Sequence, residues 1–273
     1  MLRIGRALAL TLIAGTVGGA AVLAAEAMLA RSRRYVGPEL GLTLRAAVGP
    51  ADALPLRLVL LGDSTALGVG VDRVADTVGG RLAHMLTGVD SSNVWDAAAA
   101  SRPGGTVRRV LLSSVGVSGS RSTDLATQVA RCLLGDGPDV AVILIGVNDV
   151  LGLRRPTDAA ACLAGAVRRL REAGVRVVVG TCPDLGAARA FARPLRQVAG
   201  WQGRRMARAQ ASAAAKAGAT VVDLAAATGA AFRADAGALC RDRFHPSAAG
   251  YRMWAQAMLP AVTNAAASRE PLH

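Results

Sequence analysis

The chain has 273 residues and a mass of 27.7 kDa; 52% of it is hydrophobic and only 3% aromatic, and 32 Lys and Arg face 19 Asp and Glu for a net charge of +13. That length holds one α/β domain of ordinary size plus an extension, and it excludes two full catalytic domains. The charge alone would invite a nucleic-acid partner, but every cation except Lys216 is arginine, scattered among Ala, Gly and Val with no aromatic platform on which bases could stack, so the composition argues against one.

Arg3 and Arg6 precede an uncharged apolar run from Ala7 to Ala25. As a helix it would be roughly 28 Å long, close to the hydrocarbon thickness of a bilayer. Its length favours an uncleaved membrane anchor over a cleavable export signal, for which Ala25-Glu26-Ala27 offers a cut site. The catalytic part is expected outside the cytoplasm, but the orientation of an anchor is poorly specified, because Arg3 and Arg6 on one side nearly balance Arg31, Arg33 and Arg34 on the other. Residues 1–34 are therefore expected to be the anchor or signal segment, and 35–55, punctuated by Pro38, Gly41, Gly49, Pro50 and Pro55, a linker.

The domain proper is expected over 56–262. Near-continuous apolar runs at 56–61, 107–115, 140–145, 175–179 and 220–224 have the pattern of strands buried on both faces of a parallel sheet. Helical periodicity fills the intervals at 76–87, 123–134, 157–173 and 195–217. A closing helix opens after Pro246, with Ser247 as its cap and Tyr251, Trp254, Ala255, Met258 and Leu259 on one face. This alternation predicts an open sheet of five parallel strands between two helical layers, with its site beyond the carboxyl ends of the strands. Residues 263–273 are expected to be a polar tail.

Cys132, Cys162, Cys182 and Cys240 have no CxxC spacing and no histidine pair, so a structural zinc site is not expected. Two readings stand for these thiols: a disulfide, best between Cys182 and Cys240 if the domain is exported, or four buried free cysteines.

Ser64 follows the first strand by two residues in Gly62-Asp63-Ser64, which puts its hydroxyl at the carboxyl edge of the sheet. Alone it reads more readily as a turn or cap residue than as a nucleophile. Of the three histidines, His84 lies in an ordinary helical pattern and His273 ends the chain, which leaves His245 as the candidate base. Asp242, three residues earlier, is close enough in sequence for a turn to bring its carboxylate onto the imidazole; the competing reading is a capping turn before Pro246. Asn148 lies just past the 140–145 strand, where an uncharged amide can donate to an oxyanion, while Asp149 reads as a loop acceptor. Gly119 could turn its backbone N–H towards a ligand.

The ordered blocks Gly62-Asp63-Ser64-Thr65, Gly116 to Ser120, Gly146-Val147-Asn148-Asp149 and Asp242-Arg243-Phe244-His245-Pro246 resemble those of the SGNH hydrolases, the GDSL esterase/lipase family. Thr65 stands where that family usually has leucine. The resemblance spans 56–262 and implies a flavodoxin-like three-layer α/β/α sandwich. It further implies ester hydrolysis by Ser64, His245 and Asp242, with Ser64, Gly119 and Asn148 forming the oxyanion hole and no metal or organic cofactor. The implied partner is a small acyl ester. A carbohydrate O-deacetylase, an acyl thioesterase and a non-catalytic membrane-tethered binding protein are the alternative readings. Loops 66–76, 89–105 and 183–200 are expected to wall the pocket, with Arg189, Arg193 and Arg196 in the last of them.

Overall fold

Leu56, Leu58 and Leu60 alternate with Val59 and Leu61, and the two sets are buried in different apolar clusters, as a strand covered on both faces requires. The computed structural model describes residues 19, 21–29, 35–37, 44–88, 107–135 and 137–267. Its elements are β1 (Arg45–Val48), β2 (Leu54–Gly62), α1 (Val78–Leu86), β3 (Arg108–Ser114), α2 (Leu125–Cys132), β4 (Val140–Leu144), α3 (Val147–Leu151), α4 (Pro156–Glu172), β5 (Arg176–Gly180), α5 (Leu195–Lys216), β6 (Thr220–Val222), α6 (Leu224–Ala234) and α7 (Ala248–Ala267).

The sheet has six strands in the order β1-β3-β2-β4-β5-β6. Five run parallel, but β1 pairs antiparallel with β3, so the expected five-stranded, all-parallel sheet is corrected to a mixed one. The extra strand lies inside the stretch read as a linker. Its sequence, Arg45-Ala46-Ala47-Val48, gives no apolar run because an edge strand is covered on one side only, and its residues are exposed or half-buried.

On one face, Leu56, Leu58 and Leu60 of β2 and Val140, Val142 and Leu144 of β4 pack against α1, α6 and α7. On the other, Val59, Leu61, Ala141 and Ile143 meet α2, α4 and the Ala214 end of α5. Each fully buried leucine contributes about 1.5–3 kcal/mol by leaving water. The capping expected from Ser247 is present, its Oγ accepting the Gly250 N–H at 3.3 Å. α7 nevertheless runs past the expected boundary at 262, through Pro260 to Ala267, with Ala265 and Ala266 buried. Pro260 removes one intrahelical donor, and the alanine-rich end is retained by packing and by Arg108, whose Nη1 donates to the Ala266 carbonyl at 2.9 Å.

The apolar run 7–25 lies outside the described residues except for 19 and 21–25. Residues 21–29 are helical, and Glu26 Oε2 accepts the Leu195 N–H at the start of α5 at 2.8 Å. Among the described residues, no helix is long and apolar enough to cross a membrane. The four cysteines are free thiols, so the expected Cys182–Cys240 bridge gives way to the alternative reading. Burial pushes the Cys182 thiol far up its titration scale, and Cys240 donates instead to Asp242.

Candidate active site

The carboxyl edge of β2 is shaped by Gly62. Its φ is +139°, and a Cβ there would fall 1.7 Å from the Leu144 carbonyl oxygen, so only glycine lets β2 and β4 close at this point. The next residue, Asp63, is buried, and its Oδ1 accepts both the backbone N–H of Thr65 at 3.0 Å and the Thr65 hydroxyl at 2.8 Å. Burial raises the Asp63 carboxyl above its ordinary range, and the two Thr65 bonds pull against that rise. The resulting turn holds Ser64 between two fixed neighbours.

His245 arrives on a loop that closes on itself. Leu239 bridges to Pro246, the Cys240 N–H donates to the His245 carbonyl at 2.8 Å, and the Arg243 N–H donates to the Cys240 carbonyl at 2.9 Å. Arg243 itself sits at φ +60°. Inside this loop Asp242 Oδ1 accepts the backbone N–H groups of Phe244 and His245 at 2.8 and 2.9 Å, while Oδ2 faces His245 Nδ1 at 2.6 Å. His245 Nε2 then stands 3.1 Å from Ser64 Oγ. With Nδ1–H donating to the carboxylate, Nε2 is left as the acceptor for the serine hydroxyl. Asp242 thus closes the turn through Oδ1 and meets the imidazole through Oδ2, while Ser247 caps α7.

Burial alone would raise the Asp242 carboxyl. Hydrogen bonds from the His245 ring, the Cys240 thiol and the two backbone N–H groups outweigh it and hold Asp242 well below the usual carboxylate range. The side chains of Asp242 and His245 are only 2% and 8% exposed, so the pair interacts with little competition from water. His84, the histidine set aside from its helical pattern, lies in α1, where burial and Arg81 disfavour its charged form.

Asn148 stands at the start of α3, a short helix in place of the loop expected there. One amide hydrogen goes to the Ser120 carbonyl at 3.0 Å, which leaves the second N–H to donate elsewhere. Gly119 has φ +81° with open space around its would-be Cβ, so the backbone conformation, not crowding, calls for glycine. Among the described residues, no hydrogen bond takes up the backbone N–H of either Ser64 or Gly119. Asp149 behaves as the loop acceptor expected of it: its Oδ2 receives the Ser122 N–H and hydroxyl, both at 2.9 Å.

Two buried glutamines brace this edge, and sequence reading passed over both. Gln128 Oε1 accepts the Gly62 N–H at 2.7 Å while its Nε2 donates to the Gly62 carbonyl at 2.9 Å. Gln210 does the same between the ends of β4 and β5, accepting from Cys182 N–H at 2.7 Å and donating to the Ile145 carbonyl at 2.9 Å. The signal for Gln128 was an amide on the buried stripe of an amphipathic helix beside Leu125, Val129 and Cys132.

Ser64, Gly119, Asn148 and His245 open into one cavity of about 370 Å³, near the lower end of the range for small-molecule sites. Its far walls are largely apolar and include Leu151, Leu185, Phe232 and Trp254. Of the three loops expected to form walls, 183–188 does so, no residue of 66–76 does, and 89–105 lies outside the described residues. Tyr35 and Val36, assigned to the linker, line the cavity as well.

A three-layer α/β sandwich with a hydrogen-bonded Asp-His-Ser line at the carboxyl edge of its parallel strands defines a class built like the serine hydrolases. Residues 60–253 match the model of the GDSL-like lipase/acylhydrolase family, and the chain belongs to that family. It is 38% identical over 212 residues to a GDSL-like esterase of Mycobacterium tuberculosis, an alignment covering 77% of this chain and 62% of that protein's length. Among solved structures, an acetylxylan esterase from Geobacillus stearothermophilus matches with a TM-score of 0.54 at 21% identity, over 77% of this chain and 95% of the other. A member of the lipolytic G-D-S-L family from Veillonella parvula matches with a TM-score of 0.55 at 18% identity, over 76% and 98%. These two likenesses establish the fold.

Proposed function

We propose that the chain is a serine esterase that hydrolyses carboxylic esters through an acyl-enzyme. The observation that carries this reading is the unbroken line from Asp242 Oδ2 through His245 to Ser64 Oγ, at 2.6 and 3.1 Å. In the first half-reaction Nε2 of His245 takes the Ser64 proton as Oγ bonds to the ester carbonyl carbon. The same proton then passes to the departing alkoxide, which leaves as the alcohol. In the second half-reaction Nε2 takes a proton from water, whose oxygen attacks the acyl-serine, and Ser64 recovers its proton as the carboxylic acid departs.

Charge develops on the carbonyl oxygen in both halves, and the uncommitted N–H groups of Ser64 and Gly119, with the second N–H of Asn148, are the donors available to it. Asn148→Ala is expected to lower kcat by roughly 10² to 10³ with little change in KM, since the bond is made chiefly in the transition state. Steady-state kinetics on a chromogenic ester would show this, and an unaltered kcat would remove Asn148 from the role.

The apolar walls and modest volume favour a short acyl chain over a long one. The M. tuberculosis relative is named an esterase and the G. stearothermophilus neighbour an acetylxylan esterase, so O-deacetylation of a carbohydrate is a second reading; acyl thioester cleavage, which the same chemistry would allow, is a third. A hydrolysis panel of short- and long-chain esters, acetylated xylooligosaccharides and acyl thioesters, with Ser64→Ala as control, separates them. The proposal expects the best kcat/KM on short-chain esters, and turnover that persists in the control would overturn it. We propose as well that the run 7–25 tethers the enzyme to a membrane. Recovery of the 273-residue chain in the carbonate-washed membrane fraction is the expected result, and recovery in the supernatant would refute it.

A further inference from the structure

Part of the cavity wall beside the Asp242–His245 pair comes from outside the region matched by the family, which begins at residue 60. Tyr35 and Val36 lie across that pair. The Val36 N–H donates to Asp242 Oδ2 at 3.2 Å, the same oxygen that faces His245 Nδ1. The Tyr35 ring packs on Phe244 with centroids 5.1 Å apart, and meets the His245 ring edge-on at 6.3 Å and 84°. Phe244 in turn packs on Phe191 at 5.5 Å, so Tyr35 extends an aromatic row that ends at the imidazole. Farther back along the chain, Glu26 takes the Leu195 N–H and gives this part of the polypeptide a second attachment to the domain.

The Asp242 carboxylate has about four acceptor positions. Among the described residues, Oδ1 takes the Phe244 and His245 N–H groups together with the Cys240 thiol, whereas Oδ2 has the imidazole and Val36. A second donor on Oδ2 resists rotation of the carboxylate about its Cβ–Cγ bond and occupies the place where water would otherwise compete with His245. A small misorientation at this point is transmitted to Nε2 and from there to Ser64.

We propose that the Tyr35–Val36 segment is a working part of the site. The Val36 N–H is a positioning group for Asp242, and the Tyr35 ring is a specificity wall against which the bound ester packs. The proposal rests on the esterase reading above, and its test is arranged so that the two fail separately.

The test uses the full chain with p-nitrophenyl butyrate. Ser64-dependent turnover by the unmodified protein is established first; its absence defeats the esterase reading. Val36→Pro, which deletes the N–H, is expected to lower kcat by roughly 10- to 100-fold with KM little changed. Val36→Ala keeps the N–H and is expected to recover most of that loss; equal losses in the two variants, or a wild-type kcat in Val36→Pro, would overturn the positioning role. Tyr35→Ala is expected to raise KM by roughly tenfold, as removal of an apolar wall does, with kcat moving less. An unchanged KM would overturn the wall. Amide hydrogen exchange supplies a readout independent of turnover and of whether Val36→Pro folds. The Val36 N–H should be protected in the unmodified protein and exchange faster in Asp242→Ala; equal exchange in both would refute the contact.

Discussion

Ser64→Ala is expected to leave a folded protein whose esterase activity has fallen by roughly 10⁴- to 10⁶-fold, the scale seen when a serine nucleophile acting with its base is removed. The fold should survive because, among the described residues, the one side-chain partner of Ser64 Oγ is His245 Nε2. The turn is held by Asp63 and Thr65 instead, and the Ser64 carbonyl still accepts the Val69 N–H at 3.0 Å. His245→Ala should cost about as much as Ser64→Ala, and the double variant little more, if the two groups act as one unit as proposed. A fluorophosphonate probe gives a second measurement that needs no knowledge of the natural ester. Mass spectrometry should find the adduct on Ser64 in the unmodified protein and no adduct in Ser64→Ala. Labelling that persists in the variant would assign the nucleophile elsewhere.

Much of this arrangement was legible in the sequence because its parts obey local rules. Strands β2 and β4 are buried on both faces and therefore read as unbroken apolar runs, and their carboxyl ends fix where Ser64 and Asn148 must emerge. Asp242 and His245 are three residues apart, so one loop brings them together without help from the rest of the chain. What sequence reading missed depends on partners distant in the chain. β1 is a strand only because β3 offers it an edge, with Arg45 opposite Ser113 and Val48 opposite Val110. α6 went unnoticed because Leu224-Ala225-Ala226-Ala227 gives little contrast between its faces, and its buried side rests on Leu224 and Phe232. Gln128 and Gln210 are invisible to a search for catalytic residue types, because their task is to satisfy backbone groups at strand ends. Tyr35 and Val36 were read as linker for the same reason: nothing local marks them, and their contacts span more than 200 residues of chain.

Asp242→Asn is the second large effect, and it separates the chemistry of the carboxylate from its structural role. An asparagine of nearly the same shape can still accept the N–H groups of Phe244 and His245. Its amide nitrogen, however, presents hydrogens where Oδ2 now accepts Nδ1, which favours the imidazole tautomer carrying its proton on Nε2. That tautomer cannot take a proton from Ser64, and it no longer has a carboxylate to stabilise the imidazolium. A loss of about 10⁴ in kcat, with KM changed far less, is the expected result. The stability of the variant should also depend on pH differently from that of the unmodified protein. Because the folded-state Asp242 carboxyl lies below its unfolded value of about 3.9, its contribution to stability is fully present above that value and is lost as the pH falls through it towards the folded value. The asparagine variant has no such group to titrate. Urea midpoints measured from pH 7 to pH 3 should therefore show the unmodified protein losing its advantage over Asp242→Asn in the acid part of the range, below about pH 4. A gap that stays constant across that range would show that Asp242 is not held as an unusually acidic carboxylate in the folded protein, and with it would go the electrostatic half of the case for Asp242 as the partner of His245.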